Sequence, residues 1–231
     1  MSTRRIVTAL LALSLAACGT TTVLHSSFNA EPAGSAPLRD QPVGTVLSAN
    51  GGGSVTIAPR AGSAAGDHPG WVEIRHPFTT SRTELRARFD AAHGTGKYTL
   101  LAVLYIPSGA GPLTLQLEGL GDPSDIYSSV DFLRLDFLPG HRVTYTTYDG
   151  PAPLGPFPPD AEILVSVSFD STVAPAIATV SILHGTTVLA RNENVILPSR
   201  ATDFGSVRVL MDEPSTGSVF VDDIVVTRKD M

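Results

Sequence analysis

Across 231 residues, 22 acidic side chains outnumber 16 basic ones for a formal charge of −6, and lysine occurs only at Lys97 and Lys229. Binding a phosphate backbone takes clustered cations that release counterions, so the chain is not built for nucleic acid. Cys18 is the only cysteine, which excludes an intramolecular disulfide, while 42% hydrophobic residues with 21 Gly and 18 Pro exclude a disordered chain and fit a globular one rich in turns.

Residues 1–17 read as an export signal helix: Arg4 and Arg5, the apolar run Ile6 to Leu15 broken by Thr8 and Ser14, then the small pair Ala16 and Ala17. An apolar helix of about 12 residues rises roughly 18 Å, short of the ~30 Å hydrocarbon core. It is too short to span. Leu15-Ala16-Ala17-Cys18 resembles the lipobox of bacterial lipoproteins. The resemblance implies cleavage before Cys18, a diacylglycerol on its thiol, an acyl chain such as palmitate on its new amine, and hence the membrane as a partner through a lipid anchor. Two or three acyl chains hold firmly where one is marginal. Gly19 stands where an Asp would signal inner-membrane retention, which by the same resemblance implies the outer membrane if the cell is Gram-negative. On this reading 18–22 is a lipidated tether and 23–231 a single β-sandwich domain.

Val23 to Phe28 is expected to be the first strand, because apolar residues so close to an anchor are costly to leave in water. Residues 43–48 and 53–58 alternate around Asn50-Gly51-Gly52, a hairpin signal. Trp71 to Ile74, Thr83 to Phe89, Tyr98 to Ile106 and Leu113 to Leu117 follow with period-two patterning, Tyr98 to Ile106 being apolar enough for the centre of a sheet. Val130 to Phe137 and Arg142 to Tyr148 flank Leu138-Pro139-Gly140-His141, a type II turn by its Pro-Gly pair. Gly150 to Pro159 is dense in proline and reads as a surface loop barred from a sheet interior. Ile163 to Phe169, Ile177 to Leu183, Thr187 to Arg191, Ser206 to Met211 and Val219 to Thr227 complete the pattern. About 12 to 14 strands without a helical window or a fixed repeat predict an all-β, two-sheet antiparallel jelly-roll sandwich.

Gly217 to Val226 looks like the final strand of bacterial jelly-roll domains of the concanavalin A/laminin G-like and galactose-binding-like kinds. Phe28 to Gly34 resembles their opening strand and first turn, and Ile163 through Met211 the laminin G-like succession of strands. The strand number favours the concanavalin A-like sandwich. The resemblance implies that first and last strands lie side by side. Asp222 and Asp223, adjacent on that last strand, must point to opposite faces, and the buried one needs partners: backbone N–H groups, or a structural calcium ion with carbonyl oxygens and another acid.

Gly94-Thr95-Gly96-Lys97 resembles a phosphate loop only superficially, since Ala91 and Tyr98 replace its first Gly and its Ser/Thr; it reads as a hairpin turn. No nucleophile elbow, zinc motif or paired-carboxylate strand motif is present, and Asp131 and Asp136, five apart, fall on opposite faces unless a bulge intervenes. A sugar site needs aromatic faces with polar groups to fix hydroxyls. The candidates are Trp71, Tyr127, Tyr145 and Tyr148, with Asp125, Asp149 and Arg134 beside them. Tyr145 and Tyr148, three apart on a strand, face opposite ways. The leading reading is a non-catalytic binding or interaction module of the cell envelope, for glycan or an envelope protein, without cofactor. A carbohydrate-active enzyme whose acids come from separate strands, and a purely structural envelope protein, stay open as alternatives.

Overall fold

The computed structural model describes residues 19–26, 28, 32–37, 45–51, 53–58, 70–77, 82–89, 95–119, 130–147, 150–197 and 204–229. Among them there are fifteen strands, and no helix long and apolar enough to cross a membrane. In chain order the strands are β1 (Thr20–Ser26), β2 (Thr45–Gly51), β3 (Ser54–Ala58), β4 (Trp71–His76), β5 (Thr83–Phe89), β6 (Lys97–Tyr105), β7 (Leu113–Gly119) and β8 (Val130–Leu138). They continue as β9 (Arg142–Thr147), β10 (Gly150–Pro156), β11 (Glu162–Asp170), β12 (Ala176–His184), β13 (Thr187–Leu197), β14 (Phe204–Met211) and β15 (Gly217–Lys229).

The strands form two antiparallel sheets. One runs β13-β12-β11-β6-β15-β4-β3, with β1 also paired to β15; the other runs β10-β9-β8-β7-β14-β5-β2. Their inner faces share one apolar core, to which period-two alternation contributes Leu113, Leu115 and Leu117 of β7 and Val207, Val209 and Met211 of β14. At one end an aromatic cluster joins the sheets. Tyr98 and Phe169 of the first stack at 5.4 Å, and Phe204 of the second meets Tyr98 edge-on at 5.4 Å and Phe132 at 5.5 Å.

The first and last strands do lie side by side, with Thr20 opposite Lys229 and Ser26 opposite Ile224. The opening strand differs in register from the expectation: it begins at Thr20, within the stretch assigned to the tether, and ends before Phe28. The Pro139-Gly140 turn forms as expected, with Gly140 at φ 86° and His141 N donating to Leu138 O at 3.2 Å.

Three local expectations are corrected. Gly150 to Pro156 is a strand, β10, paired with β9; it sits at the sheet edge, where Pro151, Pro153 and Pro156 need no partner for a missing N–H. The signal at Asn50-Gly51-Gly52 does not make a hairpin, because β2 pairs with β5 while β3 pairs with β4 in the other sheet. The chain crosses between sheets there, and a side chain at Gly53 would collide with the Arg75 carbonyl. The Gly-rich stretch before Tyr98 is likewise a crossing, from β5 to β6, with Gly96 O accepting from Ser171 N at 3.0 Å.

Candidate functional site

The outer face of the seven-stranded sheet is polar because every second residue on β5, β7, β8 and β14 is polar. Cross-strand register aligns them: Arg208 lies opposite both Gln116 and Arg86, Gln116 opposite Arg134, and Glu118 opposite Asp131. Glu118 is fully buried at 0% exposure, with Arg86 8% and Glu84 6% exposed. Buried charges persist only when paired. Arg86 Nη2 is 2.9 Å from Glu118, Arg208 Nε is 3.2 Å from Glu118 and 3.5 Å from Glu84, and Ser206 Oγ donates to Glu118 Oε2 at 2.5 Å.

The network then leads outward to solvent. Arg208 Nη1 donates to Gln116 Oε1 at 3.2 Å, and the other end of that amide, Nε2, donates to Asp131 Oδ2 at 2.7 Å. Asp131 and Arg134 are exposed. Arg134 Nε donates to both oxygens of Asp136, at 2.7 and 2.9 Å, and Thr114 Oγ1 donates to the same carboxylate at 2.7 Å. Asp131 and Asp136 thus share a face, despite their odd spacing. A bulge in the β7–β8 ladder is the cause: Leu117 pairs with Leu133 but Glu118 with Asp131, so Phe132 is the extra residue. Phe132 is 2% exposed and Leu133 0%, both in the core. Burying Phe132 as well as Leu133 turns Asp131 out.

Although Asp131 is exposed at its edge, the packing around its carboxyl group desolvates it and raises its pKa from the ordinary value, and the Glu118 charge beside it adds to this against the pull of Arg208 and Arg134. A carboxyl that binds its proton more tightly when folded loses stability as pH rises from the unfolded value through the raised one. Asp131→Asn, which keeps an oxygen for Gln116, is therefore expected to melt at a higher temperature than the parent at pH 7 and at the same temperature near pH 3. Thermal melts across that range check this, and a variant less stable at pH 7 would contradict it.

Of the residues singled out in the sequence, Arg134 lies on this face, whereas Trp71 and Tyr145 do not. Trp71 is 8% exposed in a second apolar cluster with Tyr105 and Phe220, on the outer side of the eight-stranded sheet. It has no free ring face for a sugar. Tyr145 packs against the core, and its hydroxyl accepts from Asn192 Nδ2 at 3.0 Å. Cys18, Tyr127, Tyr148, Asp125 and Asp149 lie outside the described residues. The strand ends flanking the last four, Gly119 with Val130 and Thr147 with Gly150, are at the same end of the sheet as Asp131.

Asp222 and Asp223 do not follow simple alternation, because β15 bulges between Asp222 and Val225 and Asp223 takes φ 44°. Both are buried, and Asp223 N donates to Asp222 Oδ1 at 2.9 Å. Among the described residues no group of three or more His, Cys, Asp or Glu could hold a metal ion, so the further acid that a calcium ion would need beside this pair is not found there.

Sequence reasoning missed Glu84, Arg86, Glu118 and Arg208. The alternation in Thr83 to Arg88, Leu113 to Glu118 and Val207 to Val209 marks one polar face, but alternation alone reads as exposed. The eight-stranded sheet carries a groove of about 330 Å³ on its own outer face, floored by Leu101, Leu164 and Val225 with Ser166, Ser181 and Thr227. It holds hydroxyls and the guanidinium of Arg191, itself paired with Glu193 at 2.7 Å, but no carboxylate, amide or aromatic ring.

No family model matches the chain, and no curated protein sequence does. Solved structures do. A Shewanella oneidensis MR-1 protein of unknown function superimposes with TM-score 0.61 at 14% identity, over 96% of this chain and 92% of its own. The carbohydrate recognition domain of Emp47p gives 0.56 at 9% identity, over 93% and 99%. A sialidase gives 0.55 at 9% identity over 90% of this chain, which spans only 19% of the sialidase. Likeness at such identity shows a shared fold, the lectin-like jelly-roll sandwich.

Proposed function

We propose that this chain is a non-catalytic glycan-binding module, held at the cell envelope by lipid on Cys18, that takes its ligand over the β7–β8 end of the seven-stranded sheet. The observation that carries the reading is the exposed row of Asp131 and Arg134 in front of Gln116, Asp131 fixed by Gln116 on the adjacent strand and Arg134 by Asp136 on its own. An exposed carboxylate and guanidinium, braced from behind by the buried Gln116 amide, offer sugar hydroxyls both an acceptor and donors. Tyr127 and Tyr148 are proposed as the stacking faces. The fold is one that in Emp47p serves as a carbohydrate recognition domain. Catalysis is disfavoured by the same geometry. A retaining glycosidase needs two carboxylates about 5 to 5.5 Å apart that both reach the sugar, whereas Glu118, beside Asp131, is fully buried against Arg86, Arg208 and Ser206.

A glycan array probed with the full chain, purified in detergent, tests the proposal. Binding that falls at least tenfold in Arg134→Ala and Tyr127→Ala, but persists in Ser181→Val on the opposite face, is the expected result. Binding abolished by Ser181→Val alone would move the site to the groove. The tether has its own readout: Cys18→Ser must shift the chain out of the detergent phase on partitioning.

A further inference from the structure

We infer that the glycan bound at this site carries no acidic group: no carboxylate, sulfate or phosphate. The inference rests on the glycan reading above and concerns the sign of the site's charge. An anionic sugar needs a cation able to turn toward it, and the guanidinium groups of the network face carboxylates already. Arg134 Nε is held by both oxygens of Asp136; its Nη2 contacts Thr114 Oγ1 at 3.4 Å. Arg86 is 2.9 Å from Glu118, and Arg208 lies between Glu118 and Glu84 while donating to Gln116. Drawing Arg86 or Arg208 toward a ligand anion would leave a buried carboxylate without its partner, a change that is expensive in low dielectric, and the charge of Arg134 is already matched by Asp136, so only its outer N–H groups are left to share.

Acceptors, by contrast, point outward. Asp131 accepts from Gln116 Nε2 at 2.7 Å while its side chain stays exposed to solvent. Asp131 is exposed, whereas Glu118 opposite it on β7 is buried between Arg86 and Arg208, so a ligand anion placed here meets the Asp131 charge first. A neutral sugar hydroxyl meets an acceptor at Asp131 and the remaining N–H groups of Arg134. Among the described residues Arg88, half-buried on β5 opposite Ser206, is a further cation of these strands.

The experiment compares matched pairs: a neutral oligosaccharide and its sulfated or uronic-acid counterpart, titrated calorimetrically into the full chain in detergent at low salt, where charge effects are strongest. The acidic member is expected to bind at least tenfold more weakly, with the gap narrowing in Asp131→Asn. Equal or tighter binding of the acidic member overturns the inference while leaving glycan binding intact, and loss of that binding in Arg88→Ala would name the cation responsible. Silence with neutral and acidic glycans alike overturns the glycan reading itself, and this inference with it.

Discussion

Replacing Glu118 with leucine is expected to lower stability by about 3–5 kcal/mol, the range for removing one partner of a buried ion pair. The side chain is 0% exposed, and two guanidinium groups converge on it. Leucine leaves Arg86 without its carboxylate and Arg208 with Glu84 alone, and Ser206 loses its acceptor. The penalty comes from the orphaned charges more than from the pair's own strength. Adding Arg86→Met to the leucine variant should therefore restore much of the loss, because two apolar groups of similar size remove the uncompensated charge as well. Urea unfolding of the parent, the single variant and the double variant measures this. A single-variant loss under about 1 kcal/mol, the size of an exposed pair, would mean that water reaches the network.

Phe204→Ala is the second large effect, expected at about 3–5 kcal/mol. Phe204 is 0% exposed and touches Tyr98, Phe132 and Phe169, with centroids 5.4, 5.5 and 5.7 Å away, so it joins three other strands across the sandwich. Truncation loses the ring's transfer energy and leaves a cavity among rigid aromatic neighbours that collapse poorly. Phe132 belongs to the same cluster, and its burial holds the bulge that turns Asp131 outward. The same variant should thus weaken the site as well as the fold, which glycan titration below the melting temperature would reveal. Chemical denaturation with an unchanged m-value and a loss below 2 kcal/mol would show that the cluster repacks around the gap.

These two effects mark the boundary between what could be read and what could not. Fourteen of the strands follow from alternation and turn chemistry, and β10 was missed because its prolines bar it from a sheet interior, a rule that says nothing against an edge. Pairing was less legible than the strands. Asn50-Gly51-Gly52 carries a local hairpin signal, yet β2 and β3 belong to different sheets because each finds a better surface elsewhere. For the site, Arg134 was visible, while Trp71 and Tyr145 proved to be packing residues, since an aromatic ring in a strand shows the same letter whether it faces ligand or core.

Residue pattern by itself determined the all-β class and the two-sheet sandwich, because side-chain period and turn residues are local properties of a chain; the adjacency of first and last strands came from the family resemblance. Alternation in β5, β7 and β14 also marks a polar face on each of those strands. Only the tertiary structure decided which of those faces align, that Glu118 is buried between two arginines, and that Asp131 and Asp136 share a side. Those facts depend on strand order and on one bulged residue, Phe132, whose burial is rewarded by rings from two other strands, one in its own sheet and one in the facing sheet. A long-range contact of that kind leaves no mark in the spacing of the residues that make it.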